Sequence, residues 1–371
     1  MNAYGFRRVV QLTAAAAAAS VAAAWSQTAP APPAPRFPGV ATTVAVNRSN
    51  GKVAVLAGEQ LQLFDSVWAP SPSARIELPG KEPRILEFCG PNLRYVTHGV
   101  QGMAQVFVAI TADGRERLAW PNSGLSELFP TEATRLTLDG KGLYGFLPLD
   151  PPAREYFGLP GDIPTGAGVA VTFRFAGEKL LARASAAFAG VVALSPDDML
   201  LTLGGGGLMR YRSPGGVAWK REGSGGTWRI ADVDLAGEVV ASINGEGAVV
   251  GTRTESGEPC FRCALPAARV LDARLLRDSR LLVLLTGPER RTAILDTASM
   301  KPAGEQPAEL CARLELTAVY EGWLRTAVSL ADFLDVSAPT TPGLLLRGAG
   351  GWYLVARSNR PAAAGPATEK P

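Results

Sequence analysis

The reactive side chains of this chain are few, and their types limit the chemistry open to it. One histidine, His98, occurs among 371 residues. A Ser-His-Asp hydrolase would have to rest on that imidazole, and metal sites built from several histidines are excluded. His98 follows the strand-like stretch Leu93 to Thr97 and precedes Gly99, where a hydrogen-bonded structural role is the expectation. Cys260-Phe261-Arg262-Cys263 is the sharpest local motif. A redox pair of that spacing sits at a helix N-terminus in a βαβ unit, which lowers the thiol pKa; this one follows the turn Gly257-Glu258-Pro259. Haem attachment needs a histidine next, and Ala264 stands there. Zinc would need Cys89 and Cys311 brought to the same place. Cys260 and Cys263 therefore read as disulfide-forming or structural cysteines, with redox work as the alternative and no metal expected. Asp197-Asp198 is a carboxylate pair in a tight turn without the spaced oxygen ligands of a calcium loop. Gly204 to Gly207 lacks the Lys-Ser/Thr and the following helix of a phosphate loop.

The remaining candidate is an insertion, LDPPAREYFGLPGDIPTGAG from Leu149 to Gly168. It concentrates Arg154, Glu155, Tyr156, Phe157 and Asp162 among prolines and glycines. Loops carried on a rigid scaffold are where binding residues collect, so these five are the expected ligand-binding set.

What carries that loop is a repeat. Val191 to Arg221, VVALSPDDMLLTLGGGGLMRYRSPGGVAWKR, alternates short apolar runs with turn clusters and reads as an antiparallel meander of three to four strands. A turn followed by an apolar strand recurs at Asn50-Gly51, Pro91-Asn92, Asp139-Gly140, Asp197-Asp198, Ala236-Gly237, Asp278-Ser279 and Glu321-Gly322. A second marker keeps phase with the first at Phe64-Asp65-Ser66, Thr111 to Gly114, Ser213 to Gly216, Thr254 to Gly257 and Asp296 to Ser299, with degenerate forms expected at Pro151 to Arg154 and Ala338 to Gly343. Ala267 to Leu285 is helix-favouring by composition, but the Asp278-Ser279 turn falls in register and assigns strands. Pro121 to Glu132 has room for one helical turn.

Repeats of about 40 to 50 residues, each of several short strands, define an all-β fold, a β-propeller. Residues 41–358 accommodate seven blades; the degenerate third and seventh units leave six or eight open.

Ahead of the repeats, Arg7-Arg8, an uncharged alanine-rich run from Val9 to Ala24, and Ala24-Trp25-Ser26 form a secretory signal pattern, so residues 1–26 are expected to be removed. Residues 27–40 read as a Pro/Ala-rich spacer and 359–371 as a disordered tail. Export implies an oxidising, periplasmic or extracellular setting, with no membrane span after cleavage. The net charge of +3 includes Arg7 and Arg8, and no basic cluster exists to attract nucleic acid.

Gly114-Arg115-Glu116-Arg117-Leu118-Ala119-Trp120 and Gly215-Gly216-Val217-Ala218-Trp219 resemble the turn-glycine, strand and tryptophan pattern of quinoprotein-like repeats. They place the chain beside the WD-type and YVTN-type propellers of bacterial envelopes, at the level of architecture. The resemblance implies that Trp219 docks between blades. Quinone-dependent members of that group stack their cofactor near a disulfide of adjacent cysteines; no two cysteines are adjacent here, so no cofactor is expected. The expected function is a non-catalytic, exported scaffold for a protein, peptide or glycan partner in the envelope. The alternative is a hydrolase or lyase with carboxylates converging at the central channel, which would be invisible in sequence.

Overall fold

The computed structural model describes residues 33–356 apart from 41, 49, 79–84, 90–91, 98–105, 111–115, 119–133, 140, 149–167, 175–179, 187, 225, 235, 266–267, 277–278 and 338–342. These residues form seven small antiparallel sheets that follow one another along the chain. The first is β2–β5 (Thr43–Val46, Val53–Ala57, Gln60–Phe64, Ala74–Glu77), and the second is β6–β9 (Ile85–Cys89, Asn92–Thr97, Val106–Ile110, Glu116–Leu118). The third is β10–β13 (Thr134–Leu136, Gly142–Pro148, Gly168–Arg174, Leu180–Ala186), and the fourth is β14–β17 (Phe188–Ser195, Asp198–Leu203, Gly207–Arg212, Gly216–Glu222). The fifth is β18–β21 (Arg229–Val233, Val239–Ile243, Val249–Arg253, Pro259–Cys263), and the sixth is β22–β24 (Arg269–Leu276, Leu281–Gly287, Arg291–Asp296). The last holds β25–β27 (Phe333–Asp335, Gly343–Gly348, Gly351–Ala356) and takes its fourth strand, β1 (Phe37–Pro38), from the other end of the chain. Phe37 pairs with Trp352 and Pro38 with Gly351. The fold is a β-propeller closed by that exchange.

Middle strands are buried on both faces, as in VAVLA of β3, DMLLTL of β15, VVASI of β19 and LLVLLTG of β23. Each sheet is covered by its neighbours on both sides, which is why these strands are continuous apolar runs. Outer strands alternate instead, β5 strictly and β17 more loosely. First strands of successive sheets pack on one another, β2 on β6, β14 on β18 and β18 on β22, and so surround the axis.

Six of the seven expected repeat turns join the first and second strands of their sheets. The seventh is corrected: Glu321-Gly322 lies inside a helix, and the equivalent turn falls between Asp335 and Gly343. A helical excursion displaced the count. The third secondary marker moves too, because Pro151 to Arg154 lies between the second and third strands of its sheet, not the third and fourth. The spacer is shorter than expected at its C-terminal end, since Phe37 and Pro38 are strand. A two-residue strand carries too little pattern to be read from sequence. Helix-favouring Arg269–Leu276 and Leu281–Gly287 are strands, paired from Arg269↔Gly287 to Leu276↔Leu281.

The sixth sheet has three strands, and helices α1 (Pro307–Arg313) and α2 (Thr317–Thr326) stand where a fourth would be. Pro307 opens α1 and the Glu309 carboxylate accepts from the Gln306 backbone N–H at 2.9 Å, satisfying a free donor of the helix start. The Gln306 side chain meanwhile accepts from Ile294 N at 2.8 Å and donates to Ile294 O at 3.1 Å. That amide shares the β24 edge with the backbone of residues 301–303, where Ala303 N donates to the same Ile294 O at 3.0 Å and Leu295 bridges Pro302. Leu310, Cys311, Tyr320 and Trp323 then fill the wedge between the sixth and last sheets with Val283, Leu285, Phe333, Leu346 and Val355. No helix among the described residues is long and apolar enough to cross a membrane.

Candidate functional site: the channel cluster and the groove above it

Two places on the inner strands carry polar chemistry. The first is on the axis. Arg48, just after β2, reaches the fifth and sixth sheets, donating to Asp232 Oδ2 at 2.6 Å, Val233 O at 3.3 Å and Leu275 O at 3.2 Å. Those sheets are not its neighbours along the chain, so its guanidinium crosses the channel. Asp232 Oδ2 also accepts from Leu275 N at 2.9 Å. One sheet further on, Asp272 Oδ2 accepts from Leu330 N at 2.5 Å, and Asp272 Oδ1 lies 3.5 Å from Arg229. The two aspartates therefore act alike: Asp232 ties its sheet to a backbone N–H of the next, and Asp272 ties its sheet to the turn that leads into β25.

Both stand beside a bulge. The β18–β19 register shifts between Ile230 and Asp232, and the β22–β23 register between Val270 and Asp272. An extra residue in a strand re-aims the side chain that follows it. Half-buried Arg274 donates to Phe333 O at 3.0 Å. Burial pushes its pKa below the ordinary guanidinium value, an effect opposed by Asp232, Asp272 and Asp332 and reinforced by Arg48. Asp332 faces Arg347 at 3.4 Å.

The second place is a groove of about 380 Å3 between the fifth and sixth sheets, where the end of the β17–β18 connection, the β19–β20 turn and the first residues of β22 gather. Its floor is buried: Trp228, Ile243 and Val270. Its rim is exposed: Thr227, Arg229, Arg269 and Leu271, with Leu271 38% exposed. Leu271 is the residue that the bulge throws out, and its carbonyl accepts from Arg229. Arg269 lies across the β19–β20 turn and donates to Gly245 O at 2.7 Å. Gly247 sits at φ +82°, and a Cβ there would meet Arg269 Cβ at 2.9 Å. Glycine is required at that position both by the backbone and by the arginine above it.

Arg154, Glu155, Tyr156, Phe157 and Asp162 lie outside the described residues, as do His98, Trp120 and the Pro121 to Glu132 stretch. The ends of the Leu149 to Gly168 insertion are placed: Pro148 pairs with Gly168, at the turn equivalent to Asn244–Gly247 of the fifth sheet. Asp197 and Asp198 do occupy the β14–β15 turn, and Asp198 is bound to Arg210. Trp219 docks between sheets, its indole N–H donating to Thr254 O of the next sheet at 2.7 Å.

Cys260 and Cys263 are both free thiols. Three residues apart on one strand, they face opposite sides of β21, Cys260 exposed and Cys263 buried. Desolvation pushes both thiols up in pKa, whereas reactive thiolates need the reverse. Cys311, deeper still, is pushed up to about 12. Alkylation at neutral pH followed by peptide mapping should label Cys260 well before Cys263 or Cys311, which should react only on unfolding. Equal labelling of Cys263 in the folded protein would contradict this placement.

Sequence reasoning missed Arg48, Asp232, Asp272, Arg229, Arg269 and Leu271. A signal was there: Arg229-Ile230-Ala231-Asp232 and Arg269-Val270-Leu271-Asp272 repeat the same spacing at the same point of successive units.

No protein-family model matches the chain, and no curated protein matches it. Solved structures that resemble it are propellers. The β-propeller domain of Cps50 (Swd1) from Myceliophteria thermophila is 10% identical, with 73% of this chain and 88% of that one covered at a TM-score of 0.47. Hsv2 from Kluyvelomyces marxianus is 13% identical over 69% and 75%, TM-score 0.43. BamB from Moraxella catarrhalis is 10% identical over 86% and 83%, TM-score 0.42. Such likenesses concern architecture alone.

Proposed function

We propose that the chain is an exported, non-catalytic scaffold that holds a protein or peptide partner in the groove between the fifth and sixth sheets. The observation that carries this reading is the division of labour on the inner strands. The channel carboxylates are engaged in tying sheets together, Asp232 with Leu275 N and Arg48, and Asp272 with Leu330 N. A general acid or base at these positions would have to work while keeping those structural bonds. The groove beside them presents exposed Leu271 and two arginines over an apolar floor, the composition of a binding site. Export rests on the signal pattern of residues 1–26. An envelope setting and a glycan partner are extensions of the same proposal, supported by the sequence resemblance alone.

One experiment tests both halves. The full chain, carrying a photo-crosslinking residue at Leu271 or, as control, at Lys220 on outer strand β17, is expressed in a bacterial host and fractionated. The expected result is a product outside the cytoplasm that lacks its first 26 residues and forms a discrete adduct from position 271 only. Cytoplasmic retention with an intact N-terminus overturns export. Identical patterns from both positions, or no adduct, overturn the binding site.

The convergence of Asp232, Asp272 and Arg274 on the axis is what favours the second reading, a carboxylate-based hydrolase or lyase.

A further inference from the structure

The groove's charge says what its partner carries. Its lining includes two charged side chains, both arginines, and no carboxylate. Arg229 has a counter-ion, Asp272 at 3.5 Å. Arg269 has none among the described residues: its one bond is to the Gly245 carbonyl, which leaves the rest of the guanidinium fork exposed at the rim. The nearest acidic residue of the β19–β20 turn, Glu246, faces Arg262 at 3.5 Å. A fixed, uncompensated guanidinium a few residues from an exposed leucine is a two-point recognition pattern, with the fork matched to a planar carboxylate and Leu271 with the Trp228–Val270 floor matched to an apolar side chain.

We infer that the groove takes an extended peptide segment in which an internal Asp or Glu side chain pairs with Arg269 and a neighbouring large apolar side chain covers Leu271. This rests on the binding role proposed above and specifies its partner. The rim is open along its length, since Thr227, Arg229, Arg269 and Leu271 are all exposed. A segment therefore passes through with both ends free, which favours an internal carboxylate over a chain terminus. The Arg269 stem lies against Gly247, and its bond to Gly245 O orients the guanidinium at the rim.

The test uses the full chain without its leader and a panel of acetylated, amidated hexapeptides that vary one position among Glu, Gln and Lys and the position two residues on, which shares its face in an extended chain, among Leu, Phe and Ala. Binding is read by fluorescence anisotropy. Peptides with Glu two residues before Leu or Phe should bind best and should weaken between about 50 and 500 mM salt, as a partly exposed ion pair does. Arg269→Glu should cost at least about tenfold in affinity and turn the preference toward Lys, while Arg269→Lys should keep the Glu preference. If Arg269→Glu fails to fold by circular dichroism, Leu271→Ser supplies the second variant and should abolish the Leu/Phe preference alone.

Selection of Lys peptides by the unaltered protein, equal affinity of the panel for Arg269→Glu, or binding that requires a free C-terminal carboxylate each overturns the inference. So does an absence of binding by the whole panel. A Leu271 crosslink obtained alongside any of these keeps the scaffold reading and removes only the acidic partner; loss of both removes both.

Discussion

Replacing Arg210 by alanine is expected to destabilise the protein by about 3 kcal/mol, because it removes a buried guanidinium that holds the largely covered Asp198 carboxylate and the next sheet together. Arg210 is 6% exposed. Its guanidinium grips Asp198 through Nε at 2.9 Å and Nη2 at 2.6 Å, and through Nη1 it reaches Thr254 O and Glu255 Oε2, each at 2.7 Å. Asp198 belongs to β15 and Glu255 to the β20–β21 turn, so one side chain joins the fourth sheet to the fifth. Arg212 runs beside it to the same two acids, at 3.2 Å and 2.6 Å. Trp219 completes the joint from β17 through its bond to Thr254 O. The turn is fitted to the indole: Gly257 has φ +74°, and a Cβ there would meet Trp219 at 2.9 Å. Urea unfolding at neutral pH measures the loss, with the slope m checked for constancy. A loss under about 1 kcal/mol would mean that Arg212 alone satisfies Asp198.

The acid response follows in sign. The Glu255 carboxyl is held below 4.5 by Arg212 first and Arg210 second. Its contribution is therefore present above the unfolded value and lost as pH falls through the lower folded one. The difference between the parent and Arg210→Ala should shrink over that acidic window and be flat around neutrality.

These joints explain what the sequence could and could not reveal. Middle strands were legible because burial on both faces makes them apolar without interruption, as in Met199 to Leu203 and Leu281 to Leu285. Turns were legible because Asn50-Gly51 and Ala236-Gly237 must supply backbone angles that few residues tolerate. The polar joints were not, since Arg48 meets Asp232 across 184 positions and nothing local marks either residue. The Arg-x-x-Asp repeat at Arg229 and Arg269 was visible in principle, but its meaning depends on bulges that no pattern of periodicity predicts. The Glu321-Gly322 misreading has a related cause. Within α2, Tyr320 and Trp323 are buried with Val319 and Leu324 half-buried beside them, and over so short a span helical and strand spacing of apolar residues look alike.

Closure of the ring should depend on side chains more than on its ladder, so Phe37→Ala should cost about 3–4 kcal/mol. Only two residues of β1 pair with β27, too few for a strand to hold by itself. What holds it is packing. Phe37, 4% exposed, sits with Phe64, Val67, Leu345 and Trp352. Its ring lies 5.3 Å from that of Phe64. Arg36 covers both rings at 4.7 and 5.3 Å and donates to Val67 O at 2.9 Å and to Ala69 O. Trp352 answers from the last sheet, its indole donating to Thr42 O at 2.8 Å. Trp352→Phe removes that bond and part of a buried ring, and should cost about 1–3 kcal/mol. Limited proteolysis separates closure from general loosening: in Phe37→Ala, cleavage near residue 39 should precede cleavage within β14–β21. If both variants melt as one unit with unchanged order of cleavage, the strap is not what keeps the ring shut. Early N-terminal cleavage would instead show the last sheet opening while the Arg210 joint, three sheets away, still holds.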